Sequence, residues 1–182
     1  MSALTSVLHA AFLGPFGTRA RVIGSTADKP LLVDLELPLP PHLRVYMYSL
    51  VGSGGRTRQG EYKAVLRLRG HQVGTYRSFD NSDGRLALAI GYRADLDVFV
   101  LWDSSLHPRF KNGGNIQVSV DTVMRAASTG YAEQRRRLVN LRTVEIVLAC
   151  RSGRLVDTVE RRVALTGGAD EVRGGEDGRA AG

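Results

Sequence analysis

The sequence has little cysteine and no long apolar segment, and each absence excludes a class of protein. Its one cysteine, Cys150, can form neither an internal disulfide nor a multi-cysteine metal site, and its place beside the apolar run 144–149 predicts a buried thiol. No apolar run approaches the roughly 20 residues needed to span a bilayer. Residues 1–13 lack the basic segment and cleavage pattern of a signal peptide. We therefore expect a cytoplasmic protein with no membrane partner.

Groups with the spacing of a catalytic centre are also scarce. The four histidines, His9, His42, His71 and His107, are scattered along the chain without the spacing of metal ligands. Chain order alone defines no Ser-His-Asp or Cys-His arrangement. The sequence therefore predicts no catalytic residue, no metal and no cofactor.

Positive charge is abundant. Lysine and arginine together number 25 against 18 acidic residues, which gives a net charge of +7 and a pI near 10.1. Residues 42–93 alone hold nine basic side chains and three acidic ones. Such a concentration of cationic groups favours a nucleic-acid partner.

The length and composition predict one domain with a tail. A chain of 182 residues with 43% hydrophobic residues can bury a core. From Thr166 onward the composition reduces almost entirely to Gly, Ala, Asp, Glu and Arg. We expect a domain over residues 1–165 and a disordered tail over 166–182.

Short strand signals dominate the folded part. Alternating or continuous apolar segments bounded by Gly, Asn, Asp or Pro predict strands at residues 31–37, 43–50, 61–68, 72–79, 85–92, 97–102, 115–120 and 143–149. Helices are expected at residues 2–16, from a cap at Ser119 or Asp121 to 128, and at 130–139 and 154–165. The prediction is an α+β fold, a mostly antiparallel curved β-barrel with flanking helices.

A glycine-rich basic loop joins two of the predicted strands. It runs Val-Gly-Ser-Gly-Gly-Arg-Thr-Arg-Gln-Gly over residues 51–60 and lacks the Gly-Lys-Ser/Thr ending of a phosphate-binding P-loop. Glycines allow a backbone to approach a partner closely, and neighbouring arginines can clamp phosphates. The alternative is a flexible basic hairpin loop. The predicted DNA contacts are Ser53, Gly54, Gly55, Arg56, Arg58 and, just beyond the loop, Lys63.

The strand around the single tryptophan combines rings with acids. Alternation places Asp97, Phe99, Leu101 and Asp103 on one face and Val98, Val100 and Trp102 on the other. A carboxylate beside aromatic rings suits an extruded base, since rings stack on the base and the acid accepts hydrogens from cytosine. Further rings are available at Tyr46, Tyr48, Tyr62 and Tyr92. The alternative is a core tryptophan with Asp103 capping a turn.

Two other interpretations of the basic β-rich chain remain open. Glu61-Tyr62-Lys63 with Asp34 or Glu36 upstream superficially matches a metal-dependent nuclease site, in which carboxylates hold Mg²⁺ and a lysine orients water. The chain can instead be an interaction module that binds RNA or a protein. Arg135-Arg136-Arg137, on the predicted late helix, indicates a solvated face or phosphate contacts.

Several short motifs together resemble a known family. They are Tyr46-Met47-Tyr48-Ser49, Gly52-Ser53-Gly54-Gly55-Arg56, Glu61-Tyr62-Lys63, Ile90-Gly91-Tyr92, residues 97–103 and Asn115-Ile116-Gln117-Val118. Over residues 45–165 the chain is similar to SET- and RING-associated (SRA) domains, in particular the DNA-binding portion of MspJI-type modification-dependent restriction endonucleases. Two extra residues, Leu50 and Val51, precede the glycines, which departs from the family pattern.

The resemblance implies a PUA-like curved barrel that binds duplex DNA and flips 5-methylcytosine, or a related modified cytosine, into a pocket. Matching pocket positions here are Tyr48, Tyr92, Asp97, Trp102 and Asp103. The implied partner is double-stranded DNA with modified cytosine, in a bacterial nucleoid. We expect no catalysis by this chain itself, so that any cutting depends on a separate nuclease subunit.

Overall fold

The computed structural model describes residues 3–52 and 60–176. Within these ranges the helices are α1 (Ala3–Leu13), α2 (Val120–Thr129) and α3 (Leu155–Glu176). The strands are β1 (Ala20–Ile23), β2 (Leu31–Leu35), β3 (His42–Ser49), β4 (Val51–Gly52), β5 (Glu61–Val65), β6 (Tyr76–Arg77), β7 (Leu86–Arg93), β8 (Val98–Trp102), β9 (Phe110–Lys111), β10 (Asn115–Ser119), β11 (Tyr131–Leu138) and β12 (Thr143–Arg151). The α+β class is confirmed.

A seven-stranded mixed sheet forms the centre of the fold, in the order β1-β2-β3-β7-β8-β12-β11. The β3–β7 pair is parallel, with Leu43 opposite Leu86, and the other neighbours are antiparallel. The chain between β3 and β7 contributes β4, β5 and β6. Strands β4, β5 and β10 form a three-stranded sheet, and β6 pairs with β9. No closed barrel is found among the strand pairs of the described residues, and β1 and β11 stand at the two ends of the central sheet.

The two faces of the central sheet carry separate hydrophobic cores. The predicted alternation in β8 is confirmed: Val98, Val100 and Trp102 lie in one core, and Phe99 and Leu101 in the other. All of β8 is buried, as expected for a strand covered on both sides. Residues of β5, β10 and α2 cover the Trp102 face, while α1 and the start of α3 cover the Phe99 face.

The helix predicted at residues 130–139 is wrong. Gly130 adopts φ 89°, its N–H donates to Ala126 O, and α2 ends there. The following residues form β11, which pairs along its whole length with β12. In β11 Arg135 and Arg137 are exposed, whereas Arg136 between them is half-buried, so the arginine triplet divides between two faces. Tertiary pairing has overridden the local helical pattern. The predicted N-cap at Ser119 is confirmed, since its Oγ accepts from Thr122 N at 3.1 Å.

Most of the strand predicted at residues 72–79 is a loop. Only β6 pairs in this segment, because Gly74 adopts φ 90° and the buried Asn112 side chain ties the preceding residues down. Asn112 Oδ1 accepts from Leu68 N at 2.8 Å, and its Nδ2 donates to His71 O at 2.9 Å. The same loop lines the cavity described below.

Two other expectations concern the end of the chain and the membrane. Helix α3 continues to Glu176, so the structure is helical at the start of the segment predicted as a disordered tail, and residues 177–182 lie outside the described residues. Among the helices described, none combines the length and apolar character needed to cross a membrane.

Candidate nucleic-acid interface

Trp102 is a core residue and lies outside any open pocket. Its side chain is fully buried, and its Nε1 donates to Gln117 O at 3.0 Å. The six-membered ring packs so closely over Gly91 that a Cβ there would lie 2.9 Å from Cη2. The alternative interpretation of this residue from the sequence, a core tryptophan, matches the structure.

The two aspartates predicted for the base pocket lie at opposite ends of β8 and are held by protein groups. Asp103 is buried and forms a 2.7 Å ion pair with Arg162. Its Oδ1 accepts from Ser105 N and caps a short 3₁₀ helix, as the alternative interpretation predicted. Asp97, in the turn before β8, accepts from Ser152 Oγ at 2.6 Å and from the Tyr92 hydroxyl at 3.2 Å. These carboxylates join elements of the fold.

The predicted pocket tyrosines lie in different cores. Tyr92 stacks on Phe99 with ring centroids 4.2 Å apart and belongs to the core beneath α1 and α3. Tyr48 is buried in the Trp102 core, and its hydroxyl has no hydrogen-bond partner among the described residues. The structure therefore does not bring Tyr48, Tyr92, Asp97, Trp102 and Asp103 into one pocket.

The DNA contacts predicted from the glycine loop fall in two places. Ser53, Gly54, Gly55, Arg56 and Arg58 lie outside the described residues. Lys63 lies in the middle of β5, half-buried, opposite Gln117 of β10 and Val51 of β4.

The acids of the nuclease alternative are distributed over two sheets. Asp34 in β2 binds three basic groups: Arg85 at 2.9 Å, His42 at 3.0 Å and Arg21 at 3.1 Å. The hydrogen bond from His42, with those from Arg21 and Arg85, lowers the pKa of Asp34. Glu61 begins β5 in the three-stranded sheet. Across the described residues no cluster of three or more His, Cys, Asp or Glu side chains could hold a metal ion.

A basic cleft that the sequence did not single out opens beside the two-stranded sheet of β6 and β9. Its main cavity has a volume of about 590 Å³. The loop before β7, the segment before β9 and strand β3 contribute its walls. The lining residues are Lys29, Pro30, Tyr46, Leu68, Arg69, His71, Tyr76, Arg77, Ser78, Asp80, Pro108 and Arg109.

One wall of this cavity carries an exposed aromatic ring under a guanidinium. Tyr76 is 56% exposed, and the Arg109 guanidinium lies 4.2 Å from the centre of its ring. Pairing of β6 with β9 fixes the backbone at Tyr76, which lies opposite Lys111, and at Arg77, which lies opposite Phe110. Arg77 Nε is buried and has no hydrogen-bond partner in the described part of the chain. This wall offers an exposed aromatic ring that carries a guanidinium over one of its faces.

Another part of the lining places a carboxylate next to an aromatic ring. Tyr46 is buried against Phe79 with ring centroids 5.1 Å apart, and its hydroxyl accepts from Asp80 N at 3.3 Å. The Asp80 carboxylate pairs with Arg44 and accepts from Ser82 N at 2.8 Å. The bonds from Ser82, with the charge of Arg44, lower the pKa of Asp80. An ionised acceptor therefore lies beside aromatic surface.

A second cavity of about 380 Å³ adjoins the first. The two cavities share Lys29, Leu68, Arg69 and His71. Beyond these the second is lined by Thr5, Ala27, Arg67, Val73 and Asn112. Together the cavities form one cleft with Lys29 and Arg69 at the junction.

Lys29 is a half-buried cation at the junction of the two cavities. Its Nζ lies 4.0 Å from the centre of the Tyr48 ring. Burial lowers the pKa of Lys29 from 10.5 to about 8, and Lys29 forms no ion pair with any described residue. The cleft also holds Arg67, Arg69, Arg77 and Arg109, while Asp80 is the one acidic group among the described residues that line it. The result is a strongly electropositive concavity.

A separate group of charged side chains is buried between the sheet and α3. Glu145 is fully buried, with His107 Nε2 at 2.8 Å and Arg136 Nε at 2.8 Å, and it accepts from Asp103 N at 3.1 Å. Burial alone would raise the pKa of Glu145, but His107, Arg136 and the Asp103 N–H together lower it. Arg162 of α3 donates to Ile146 O at 2.7 Å as well as pairing with Asp103. This network fastens α3 to β8 and β12.

Comparison with known families gives one match. The model of a family described as methylase-associated X1 matches residues 41–159, which covers the chain from just before β3 into α3. No curated protein and no solved structure matches the chain. The matched segment includes most of the cleft, from Tyr46 to Arg109, but not Lys29.

Proposed function

Because the chain belongs to the methylase-associated X1 family, and so is associated with methyltransferase and restriction systems, we propose that it binds DNA through the basic cleft. The observation that carries the proposal is the cleft itself, in which Lys29, Arg67, Arg69, Arg77 and Arg109 surround a cavity with one acidic lining residue. Cations at such density neutralise phosphates and bind DNA by releasing its counterions. Nucleoid association in a bacterial cytoplasm is part of the same proposal.

We further propose that an extruded modified cytosine occupies the 590 Å³ cavity. Small-molecule sites have volumes of roughly 300–1,000 Å³, and this one combines the ring of Tyr76 with the carboxylate of Asp80. A ring can stack on the base, while a carboxylate accepts from its exocyclic amino group. The chemistry that the sequence suggested for Asp97, Asp103 and Trp102 is thus available at different residues. In this proposal the chain recognises modified DNA without catalysis of its own, and any cutting is done by a separate subunit.

The test is an anisotropy titration with short duplexes that are unmodified, hemimethylated or fully methylated at cytosine, at two salt concentrations. We expect tighter binding to methylated duplexes and a steep loss of affinity with salt. Arg109→Gln should weaken binding to every duplex. Tyr76→Ala should weaken binding by roughly tenfold, because stacking of one base on a ring contributes about 1–3 kcal/mol.

The matched control is Arg161→Gln, which removes the same charge from an arginine side chain on α3 that is 51% exposed. Equal affinities for wild type, Arg109→Gln and Tyr76→Ala would disprove binding through the cleft. Asp80→Asn separates base recognition from backbone binding. The Asp80 carboxylate accepts from the exocyclic amino group, which every cytosine carries, so the variant should weaken binding wherever the base is extruded and leave binding to the phosphate backbone nearly unchanged. Cleavage in the presence of Mg²⁺ that Glu61→Gln abolishes would favour the nuclease alternative.

A further inference from the structure

The cleft has two compartments, and the residues at their junction differ in character from those on either side. The larger compartment contains the Tyr76 ring and the Asp80 carboxylate. The smaller is lined by Thr5, Ala27, Val73 and Asn112 beside Arg67. Between them lie Lys29, Arg69 and His71, which line both compartments. A ligand that fills both compartments must therefore pass a cationic junction.

The junction is held in place before any ligand binds. Asn112 is 2% exposed, and its side chain bonds Leu68 N at 2.8 Å, His71 O at 2.9 Å and Gln72 O at 3.2 Å. These bonds fix the loop that carries Arg69 and His71. Lys29 rests on the Tyr48 ring with 4.0 Å from Nζ to the ring centre. Preorganised donors bind an anion with little further loss of conformational entropy.

No carboxylate of the described chain neutralises the junction. Asp80 lines only the larger compartment and is paired with Arg44. The smaller compartment has no acidic residue among its described lining residues. Lys29 has a ring as its contact instead of an acid. An anion supplied by a ligand would complete this arrangement.

We propose that the cleft binds two consecutive nucleotides, with the phosphodiester that links them against Lys29 and Arg69. This inference rests on the proposed function. The extruded base occupies the compartment of Tyr76 and Asp80, and the neighbouring nucleoside occupies the compartment of Thr5 and Asn112. Both volumes, about 590 and 380 Å³, lie within the range of small-ligand sites. The ligand class is a dinucleotide segment of DNA, with its linking phosphate as the central recognition element.

The test replaces single phosphates of a methylated duplex by uncharged methylphosphonates, one position at a time on either side of the cytosine. With wild type we expect one adjacent position to weaken binding by roughly tenfold or more, since a hydrogen bond between charged groups is lost there. Lys29→Met should bind a methylated duplex with all phosphates intact more weakly than wild type does. A methylphosphonate at that position should weaken its binding much less than it weakens the binding of wild type. Arg69→Gln should show the same pattern.

Lys111→Met is the matched control, because Lys111 is an exposed lysine on β9 that lines neither compartment. It should keep the full sensitivity of wild type, and circular dichroism should show that all three variants are folded. Two results would overturn the inference while DNA binding stands. In one, a methylphosphonate weakens binding equally at every position; in the other, Lys29→Met and Arg69→Gln both keep the position-specific loss of affinity that wild type shows. Absence of DNA binding by wild type would instead overturn the proposed function, and this inference with it.

Discussion

Replacing Lys29 by methionine should stabilise the fold at neutral pH while weakening the binding of DNA. Burial lowers the pKa of Lys29 from 10.5 to about 8. Each pKa unit corresponds to about 1.4 kcal/mol, so keeping the ammonium charged in the folded protein costs roughly 3 kcal/mol. The contact of this ammonium with the Tyr48 ring stabilises the charged form by about 0.5–2 kcal/mol. Methionine fills a similar volume without a charge, and we expect a net gain in unfolding free energy of about 1–2 kcal/mol.

The pH dependence of this gain has a definite sign. The unfolded chain keeps the Lys29 proton until about pH 10.5, whereas the folded chain releases it near pH 8. Between these values the unfolded state binds more protons, so the stability of wild type rises with pH relative to Lys29→Met. The groups facing Lys29 are the Tyr48 ring, Arg69 and His71 in the cleft, and His9 of α1. Because wild type and Lys29→Met differ at one residue, most of what these other groups contribute to the pH dependence of stability cancels in the comparison.

Urea unfolding of both proteins at pH 7 and pH 10 measures this difference. The variant should be more stable at pH 7, and the two curves should approach each other at pH 10. Lys111→Met serves as the control and should show no such convergence, because its side chain is exposed. A Lys29→Met protein that is less stable than wild type at pH 7, or a gap that is independent of pH, would refute the reasoning.

Three further predictions concern the buried framework. Arg162→Met should lower the unfolding free energy by about 3–5 kcal/mol in chemical denaturation, because it leaves a buried carboxylate unpaired. The control is Arg161→Met, on the exposed side of α3, which should change the unfolding free energy by less than about 1 kcal/mol. Gly91→Ala should lower the unfolding free energy by about 1–3 kcal/mol, since the new Cβ would lie 2.8 Å from a leucine side chain. The control is Gly153→Ala, whose Cβ meets no atom within 4 Å. Similar melting temperatures for the two variants would contradict this packing. The pKa of Glu145 is lowered in the folded protein from 4.5. The stability that this shift contributes is present above pH 4.5 and is lost as the pH falls through the folded value. In an acid titration, Glu145→Gln should therefore lose less stability below pH 4.5 than wild type does.

The class of fold and the central sheet could be predicted from local patterns. The strands around Tyr48, Ile90 and Val100 are continuous apolar runs bounded by turn residues, and such runs form buried strands in many contexts. The Ser119 cap followed by Gly130 likewise fixed the two ends of α2. Strand β11 could not be predicted in this way, because its pairing with β12 decides its conformation and its own sequence does not.

The candidate site was harder to predict, because its residues come together only through tertiary structure. Arg67, Arg69 and Arg77 belong to the basic segment 42–93, but Lys29 and Arg109 lie outside that segment in the chain. Trp102 and Asp103 are adjacent in sequence, and period-two alternation already places them on opposite faces of a strand. Combining both in one pocket required a geometry that an extended strand does not offer.

The arginines of β11 bear on how separate molecules meet. This strand is an edge of the seven-stranded sheet, with exposed Arg135 and Arg137 on one side of it. If the same edge of a second molecule approached in the antiparallel register that sets Arg135 opposite Arg137, arginines would face arginines across the new pair of strands, and like charges directly opposite each other are destabilising. The charges thus protect the open hydrogen-bonding groups of β11 against extension of the sheet from one molecule to the next.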